Sequence, residues 1–276
     1  MTPRVPNVLA IAGSDPSGGA GIQADLKTFA ALRVYGCAAI TALTAQNTVE
    51  VSAVFPVPAA FLRAQLDAVF GDVAIDAVKI GMLGSADAVR VVADAVRRYG
   101  PSFVVLDPVL RASTGARLLD PSALQALRDE LLPIVTLVTP NADEAGALLG
   151  AAAPRTTSEA RSASEQLVRL GVRAALVTGG HLQGGHESVD VLHDGSEGRE
   201  LRVARVSGSA THGSGCTLSS AIAALLARGH SLPDACADAQ RFVAAAIESA
   251  AALHIGQGDG PVHQLGALWR EAERPA

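Results

Sequence analysis

The chain contains few aromatic residues and almost no lysine. Phe, Trp and Tyr together make up 3% of its 276 residues, and Lys27 and Lys79 are the only two lysines, so arginine supplies nearly all of the 22 basic side chains. The formal net charge is −5 at pH 7. Proteins that bind nucleic acid or anionic membranes usually carry a basic surface. We therefore expect neither a nucleic-acid partner nor a membrane partner.

Cysteines are scarce as well. The three of them, Cys37, Cys216 and Cys236, are an odd number and include no CxxC pair. This pattern argues against a disulfide framework or a cysteine-rich zinc site and is typical of a reducing compartment. The first apolar stretch is only about eight residues long, which supports neither a signal peptide nor a membrane span. We expect a cytoplasmic protein.

Two common nucleotide-binding motifs are also missing. The sequence has no GxxxxGK[ST], because Gly213 is followed by Ser-Gly-Cys-Thr, and no predicted strand is followed by GxGxxG. These absences disfavour a GTPase and a Rossmann dehydrogenase.

Short apolar runs alternate with stretches of helical length along most of the chain. Strands are predicted at residues 8–12, 37–43, 51–55, 75–80, 103–106, 135–138 and 174–177, with a hairpin formed by 189–193 and 201–206. Helices are predicted at residues 22–32, 58–70, 85–99 and 121–132, after Asn141, at 158–170, and finally at 214–228 and 233–253, where two helices close the fold. This alternation predicts an α/β fold with a mostly parallel sheet covered by helices on both faces.

The chain is long enough for two small domains or for one large domain. No long Pro/Gly/Ser-rich linker interrupts it, and 49% of its residues are hydrophobic, which is ample material for a large core. We therefore expect a single domain over residues 1–276.

Polar and glycine residues follow the predicted strands. In open parallel sheets, ligands bind beyond the carboxyl ends of the strands, so these loops are expected to share one edge and to form the site. They comprise residues 13–21, 46–47, 81–84, 107–115, 141–144, 178–181 and 211–216.

The segment at residues 211–217, THGSGCT, is the most informative of these loops. Its glycines allow a tight turn with amides facing a ligand, and the helix that follows adds the positive end of its dipole, so the segment suits a phosphate or a developing anion. A helix N-terminus also favours a thiolate, which makes Cys216 a candidate proton acceptor. Read alone, the segment fits a glycine-rich loop before a core helix with a buried cysteine equally well.

Taken together, the loops resemble the hydroxymethylpyrimidine and phosphomethylpyrimidine kinases of thiamine biosynthesis, members of the ribokinase-like superfamily. The likeness extends from near residue 8 to GPVH at residues 260–263, and the combination of runs is far more specific than any one of them. The runs are AGSDPSGGAGIQADLKT at 12–28, YGC at 35–37, TALTAQN at 41–47, KIGML at 79–83, LDPV at 106–109, TPN at 139–141 with Glu144, GGH at 179–181 and THGSGCTL at 211–218.

The resemblance implies a ribokinase-like three-layer α/β/α fold and a Mg²⁺-dependent phosphotransferase. The implied reaction is ATP-dependent phosphorylation of 4-amino-5-hydroxymethyl-2-methylpyrimidine to its monophosphate and then to the diphosphate. We also expect a homodimer or higher homo-oligomer. Two alternatives stay open: a pyridoxine or pyridoxal kinase of the same superfamily, and a non-catalytic pyrimidine-binding protein.

The resemblance also implies roles for residues on the phosphate side of the site. Cys216 would take the proton from the substrate hydroxyl while amides of residues 213–216 neutralise charge on the moving phosphoryl group. Asp107 and Glu144 would hold Mg²⁺, partly through water. Without the resemblance, Asp107 reads as a turn residue and Glu144 as a first-turn charge of its helix. The catalytic and nucleotide-binding set is Gly213, Ser214, Gly215, Cys216, Asp107, Asn141, Glu144, Thr178, Gly180 and His212.

On the acceptor side, Gln46 matches a family glutamine whose amide both donates and accepts hydrogen bonds at a pyrimidine edge. Small or soft apolar residues would line the ring. Asp25 and Lys27 are expected to help shape this pocket or, equally well, to form a solvated helical pair. The substrate-binding set is Gly13, Ala20, Asp25, Gln46, Met82 and Val109.

The sequence departs from the family pattern at two positions. Thr178 stands where the family segment has a lysine before Gly-Gly-His, and Ser113 stands where many members have a lysine before Ser/Thr-Gly. Both changes remove a cation that faces phosphate, and Arg111 could replace one of them because guanidinium binds phosphate oxygens bidentately. The second phosphorylation, whose acceptor is itself a phosphate, depends most on this replacement.

Overall fold

The computed structural model describes residues 4–111, 115, 119–180, 182, 185–206 and 210–272. Within this part of the chain, nine strands form one sheet in the order β3-β2-β1-β4-β5-β6-β7-β8-β9. The strands are β1 Asn7–Ser14, β2 Tyr35–Gln46, β3 Val51–Pro56, β4 Ala77–Ile80, β5 Phe103–Leu106, β6 Leu137–Val138, β7 Ala175–Val177, β8 Glu187–His193 and β9 Gly198–Ala204.

The six central strands, from β2 through β1 and β4 to β7, are parallel. Leu9 in β1 is opposite Cys37 of β2 and Val78 of β4, so β1 lies between these two strands. The strands at both ends are antiparallel: β3 pairs with β2, and the hairpin β8–β9 adds to β7. The prediction of a mostly parallel sheet is confirmed.

Helices cover both faces of the sheet. The helices are α1 Gly21–Ala31, α2 Ala59–Asp72, α3 Ala86–Tyr99, α4 Pro121–Ala126, α5 Ala142–Leu149, α6 Thr157–Arg169, α7 Ser214–Ala227, α8 Leu232–Ser249 and α9 Gly266–Ala272. One core packs α2 to α6 on one face, and the other packs α1, α7 and α8 on the opposite face.

Strand β1 shows how the sequence feeds both cores. Leu9 and Ile11 belong to the core under α2 to α6, whereas Val8 and Ala10 belong to the core under α1, α7 and α8, and all four are fully buried. Because successive side chains of a strand point to opposite faces, a continuous apolar run is what a doubly covered strand requires. The predicted three-layer α/β/α architecture is therefore confirmed.

Four helices, α3, α5, α6 and α8, begin at a residue whose side chain caps the helix. The Ser85 side chain accepts a hydrogen bond from the amide of Ala88 at the start of α3, and Gly100 ends that helix with φ 56. Asn141 and Glu144 cap each other at the start of α5. Such caps satisfy amides that lack a partner within the helix, and the left-handed conformation at a helix end favours glycine.

The structure differs from the sequence predictions in three elements. The predicted helix 121–132 is regular only over α4 and continues as a π-helical stretch, Leu127–Leu131, and a 3₁₀ turn, Leu132–Ile134, because Pro133 lacks the amide needed to extend an α-helix. The strand predicted at 135–138 is shortened to β6. The prediction that two helices close the fold is wrong, since α9 follows α8.

None of the described helices is long and apolar enough to cross a membrane.

Candidate active site

The loops predicted to form the site leave the carboxyl ends of β1, β4, β5, β6 and β7. These strands are parallel and adjacent, so their carboxyl ends lie along one edge of the sheet. The start of α7 joins them there, through contacts described below.

Two glycine-rich loops, after β1 and before α7, are packed directly against each other. A Cβ atom on Gly213 would lie 1.9 Å from the Gly19 carbonyl oxygen, and one on Gly19 would lie 2.3 Å from Cδ2 of His212. Gly213 also has φ +79. Only glycine permits both the close approach and this backbone conformation.

Asp15 and His212 bind the two loops together. Nε2 of His212 is 2.9 Å from Oδ2 of Asp15, and both side chains are buried. The same carboxylate accepts hydrogen bonds from the amides of Ser17 and Ala20 at 2.9 and 2.8 Å. Burial alone would raise the pKa of Asp15, but the hydrogen bonds from His212, Ser17 and Ala20 outweigh it and lower the pKa to about 2.

The N-terminus of α7 forms one side of the site. The amide of Ser214 donates to the Thr211 carbonyl at 3.1 Å, and that of Thr217 donates to the Gly213 carbonyl at 2.9 Å. Gly215 is exposed and Cys216 is half-buried. First-turn amides of a helix have no partner within the helix, so those of Gly215 and Cys216 are placed to bind an anion. The Ser214 amide, expected to face the phosphate, is already used within the turn.

Cys216 lies between Gly21 and Asp107. The Gly21 amide and the Asp107 carboxylate lie close enough to its sulfur to act on the thiol. Burial, followed by the negative charges of Asp107 and Asp25, raises the pKa of Cys216 to about 12, and the positive charge of Lys79 offsets only part of this. The thiolate expected from the helix N-terminus is therefore not favoured, because desolvation and neighbouring carboxylates outweigh the helix dipole.

An ion pair lies beneath Cys216. Nζ of Lys79 is 2.8 Å from Oδ1 of Asp25, neither side chain has any exposed surface, and Ser220 Oγ donates to the same oxygen at 2.7 Å. Burial favours a neutral lysine, but the charges of Asp25, Cys216 and Asp107 prevail and raise the pKa of Lys79. The alternative of a solvated Asp25–Lys27 pair is wrong, since Lys27 instead donates to the Gly18 carbonyl.

Asp107 and Glu144 are two buried acids that repel each other. Burial, followed by the charge of Asp107, raises the pKa of Glu144 to about 8. Burial also raises the pKa of Asp107, whose Oδ2 accepts a hydrogen bond from Ser219 at 3.3 Å. Such a pair suits a cation. Among the described residues, no three His, Cys, Asp or Glu side chains cluster to hold one. Two carboxylates could therefore hold Mg²⁺ only if water or phosphate oxygens completed its shell.

The predicted acceptor-side residues surround the loop after β1. A Cβ on Gly13 would lie 3.0 Å from the Met82 sulfur, which places these two residues in contact. Gln46 ends β2, and Thr44 hydrogen-bonds both the Gln46 side-chain oxygen at 3.2 Å and the Ser14 carbonyl at 2.8 Å. Ala20 precedes α1 and its Cα faces Gly213.

Val109 follows the predicted metal ligand Asp107 by two residues, and its amide donates to the Asp107 carbonyl at 2.8 Å.

The loop after β7 carries Thr178 and Gly180. The Thr178 amide donates to the Pro140 carbonyl at 2.9 Å, which puts this loop beside Asn141. Arg111 is exposed and donates to the Gly115 carbonyl at 3.2 Å. Positions 113 and 181 lie outside the described residues.

Two functional candidates were missed by the sequence predictions. Lys79 was given no role, although a lysine between Val78 and Ile80 in an apolar strand signals a buried cation that needs an acidic partner. Asp15 was also given none, and its pairing with His212, 197 positions along the chain, leaves no local pattern.

Comparison with known proteins identifies relatives along nearly the whole chain. A family model described as phosphomethylpyrimidine kinase matches residues 15–263. A hydroxymethylpyrimidine/phosphomethylpyrimidine kinase of Salmonella typhimurium is 48% identical over 263 residues, covering 95% of this chain and 98% of its own. One from Rhizobium meliloti is 49% identical with the same coverage.

Solved structures share the fold. An ADP complex of Bacillus subtilis pyridoxal kinase superposes with a TM-score of 0.89 at 36% identity, covering 96% of this chain and 99% of its own. A phosphomethylpyrimidine kinase from Clostridium difficile gives a TM-score of 0.77 at 36% identity, covering 88% and 100%. The predicted ribokinase-like fold is confirmed by these likenesses.

Proposed function

The chain belongs to the phosphomethylpyrimidine kinase family, and from that premise we propose that it phosphorylates 4-amino-5-hydroxymethyl-2-methylpyrimidine with ATP, first to the monophosphate and then to the diphosphate. The observation that carries the proposal is the meeting of three groups: the α7 N-terminus, the thiol of Cys216 and the carboxylate of Asp107. Phosphoryl transfer asks a protein mainly for positioning and charge neutralisation, and these groups supply both.

In this proposal the amides of Gly215 and Cys216 bind the transferred phosphoryl group. The Cys216 sulfur faces the hydroxyl of the acceptor and takes its proton as the oxygen attacks phosphorus. The thiol lies beside Asp107 and must lose its own proton before it can act, and the charge of Lys79 favours that loss. Lys79 lies behind this pair and offsets the negative charge that the transfer places there.

Asp107 and Glu144 would hold Mg²⁺, with water and phosphate oxygens completing its shell. The ion would supply positive charge to the phosphates of ATP. The Asn141 amide donates to the Glu144 carboxylate at 2.9 Å and so orients it, while the Asn141 side chain accepts from the Glu144 amide at 2.9 Å. Thr178, Gly180 and His212 are proposed to lie along the nucleotide.

The pyrimidine is proposed to lie against Gly13, Ala20, Met82 and Val109, with Gln46 at its polar edge. An amide matches a ring nitrogen next to an amino group, because it offers one acceptor and one donor. The Thr44 hydroxyl lies 3.2 Å from the Gln46 side-chain oxygen.

The test is product identification by mass spectrometry after mixing the protein with ATP, Mg²⁺ and the pyrimidine alcohol. We expect two successive additions of a phosphoryl group. One addition would restrict the protein to the first step, as the missing lysines at positions 113 and 178 would explain. No addition and no ATP consumption would favour the non-catalytic binding protein.

A pyridoxal kinase activity is the second candidate. It is supported by the likeness to a Staphylococcus aureus pyridoxal kinase in complex with AMP-PCP and pyridoxal, with a TM-score of 0.88 at 33% identity. Direct competition between pyridoxal and the pyrimidine for one limiting pool of ATP separates the two. We expect the pyrimidine product to dominate.

We further propose that the protein is a homodimer. Leu43 and Phe55 are opposite each other in the β2–β3 pair, and their side chains are 46% and 64% exposed. Strand β3 is also an edge of the sheet. Apolar side chains on an open edge are typical of a surface that a partner covers.

We also propose that the protein is cytoplasmic. The proposed chemistry needs Cys216 in its reduced form, and the cytoplasm keeps thiols reduced.

A further inference from the structure

Asp190 is a buried acid that the proposed reaction does not use. It lies in β8, and Leu192, two residues further along and so on the same face, packs in the core formed with α8. Its side chain faces Gln240 and Cys236 of α8, which are 6% and 0% exposed. Burial raises the pKa of Asp190 to about 6. A carboxyl group in such surroundings is costly unless its hydrogen bonds are needed.

The main hydrogen bond of Asp190 holds the loop after β7. Its Oδ1 accepts from the amide of Gly179 at 2.7 Å, and the Gln240 side chain lies next to the same carboxylate. Gln240 is itself fixed, because its Nε2 donates to the Leu201 carbonyl at 3.0 Å. The Asp190 carboxylate therefore lies between a fixed side chain of α8 and the loop after β7 that it holds.

The loop at residues 178–180 is held from three sides. The Thr178 amide is bound by the Pro140 carbonyl, and the Gly180 carbonyl accepts from Arg205 at 2.9 Å. Between them, Gly179 packs so closely on β8 that a Cβ there would lie 1.8 Å from the Val189 carbonyl oxygen. Asp190, the next residue in β8, therefore fixes the middle of the loop.

We propose that Asp190 is a positioning residue for the nucleotide: by holding the Gly179 amide it sets the place of Thr178 and Gly180, and with it the affinity for ATP. This inference rests on the proposed function, in which that loop lies along ATP. Asp190 touches no reacting atom and lies on the far side of the loop from the pyrimidine residues, so binding of the pyrimidine does not depend on it.

The test compares Asp190→Leu, Asp190→Ala and Asp190→Asn by isothermal titration with AMP-PCP and Mg²⁺, and separately with the pyrimidine alcohol. Leu and Ala remove the acceptor, and we expect the Kd for AMP-PCP to rise about 5–30-fold, with the Kd for the pyrimidine unchanged. Asn keeps an oxygen that can accept from the Gly179 amide, so its Kd for AMP-PCP should stay near the wild-type value.

Asp194→Ala is the matched control, because Asp194 lies at the β8–β9 turn and its carboxylate accepts hydrogen bonds from the neighbouring residues Ser196, through amide and hydroxyl, and Glu197, through its amide. Leu fills the space that Ala leaves, so a folded variant is available if Ala fails to fold. Hydrogen exchange at residues 178–180 should quicken in Asp190→Leu but not in Asp190→Asn.

The inference would be overturned by a lower Tm in every variant with both Kd values unchanged, which would indicate a purely structural role. An equal loss of affinity for both ligands would overturn it as well. A loss in Asp190→Asn as large as in Asp190→Leu would also contradict it, since the acceptor oxygen would then be irrelevant. The wild-type titration tests the proposed function separately: if that function is wrong, the wild-type protein does not bind AMP-PCP at all.

Discussion

Lys79 and Asp25 form an ion pair with no exposed surface on either side chain. Desolvation of two charges is recovered only when the geometry is good and further hydrogen bonds are made, as Ser220 does here. The pair is close enough to Cys216 and Asp107 for its charges to act on both. Its location suggests that it serves the electrostatics of the site as well as the core.

Removal of one partner of the ion pair should therefore lower the free energy of unfolding far more than removal of both. We expect Lys79→Met to destabilise the protein by about 3–5 kcal/mol, because Asp25 is left charged and buried, and the double variant Lys79→Met with Asp25→Leu to recover much of this loss. Urea unfolding measures the free energies. Equal losses that simply add in the double variant would argue against a coupled pair.

Cys216 is the residue on which turnover depends in the proposed reaction. We expect Cys216→Ala to lower kcat by about 10²–10⁴-fold, the range for loss of a general base, while the Kd values for AMP-PCP and the pyrimidine stay near wild type. Steady-state kinetics and titration measure the two effects. Ser219→Ala, one turn further along α7 and also next to Asp107, serves as a comparison. Near-normal kcat in Cys216→Ala would remove this residue as the main base.

At the scale of elements, the contact between the loop after β1 and the loop before α7 organises the site. The Asp15 carboxylate is hydrogen-bonded both to amides of its own loop and to the ring of His212. Gly19 and Gly213 allow the two backbones to touch. The α7 N-terminus is thus placed relative to the residues proposed to bind the pyrimidine.

This contact predicts a defined dependence of stability on pH. The folded-state pKa of Asp15 is lowered from 3.8 to about 2, so its contribution is fully present above pH 3.8 and is lost as the pH falls toward 2. We expect wild type to exceed Asp15→Asn by about 2 kcal/mol near neutral pH, with the difference vanishing toward pH 2. Urea unfolding across this range measures it, and the exposed Asp87→Asn controls for loss of a charge. A pH-independent difference would contradict this account.

At the scale of the whole molecule, the sheet has one buried centre and one exposed edge. The parallel strands are covered on both faces, whereas residues 52–56 of β3 are all exposed. Apolar side chains remain on this edge, and the proposed dimer would cover them.

We expect Phe55→Glu to shift the protein from dimer to monomer, because a charge buried in an interface without a partner is unfavourable. Size-exclusion chromatography with light scattering measures the mass. Tyr35→Glu is the matched control, since Tyr35 is 62% exposed but lies at the opposite end of β2. A monomeric wild type, or a dimer that survives Phe55→Glu, would contradict the proposed interface.

Much of the fold was predictable because its signals are local. A strand buried on both faces, such as β1, needs a continuous apolar run, and caps such as Ser85 mark helix starts. The order of strands and helices and the glycine-rich loops at the carboxyl edge follow from these patterns. The short α9 was missed, and the region after α4 was wrongly predicted to continue as a regular helix. Neither segment has a strong hydrophobic periodicity of its own.

The sequence by itself determined the fold class, the family and the residue types gathered at the site, because each is written in contiguous motifs. Only the tertiary structure decided the partners: Lys79 with Asp25, Asp15 with His212, and Asp190 with Gly179. It also decided that Cys216 is held as a thiol, since its pKa depends on burial and on carboxylates distant in the chain. Charges act through space and desolvation depends on packing, and neither quantity exists until distant segments meet.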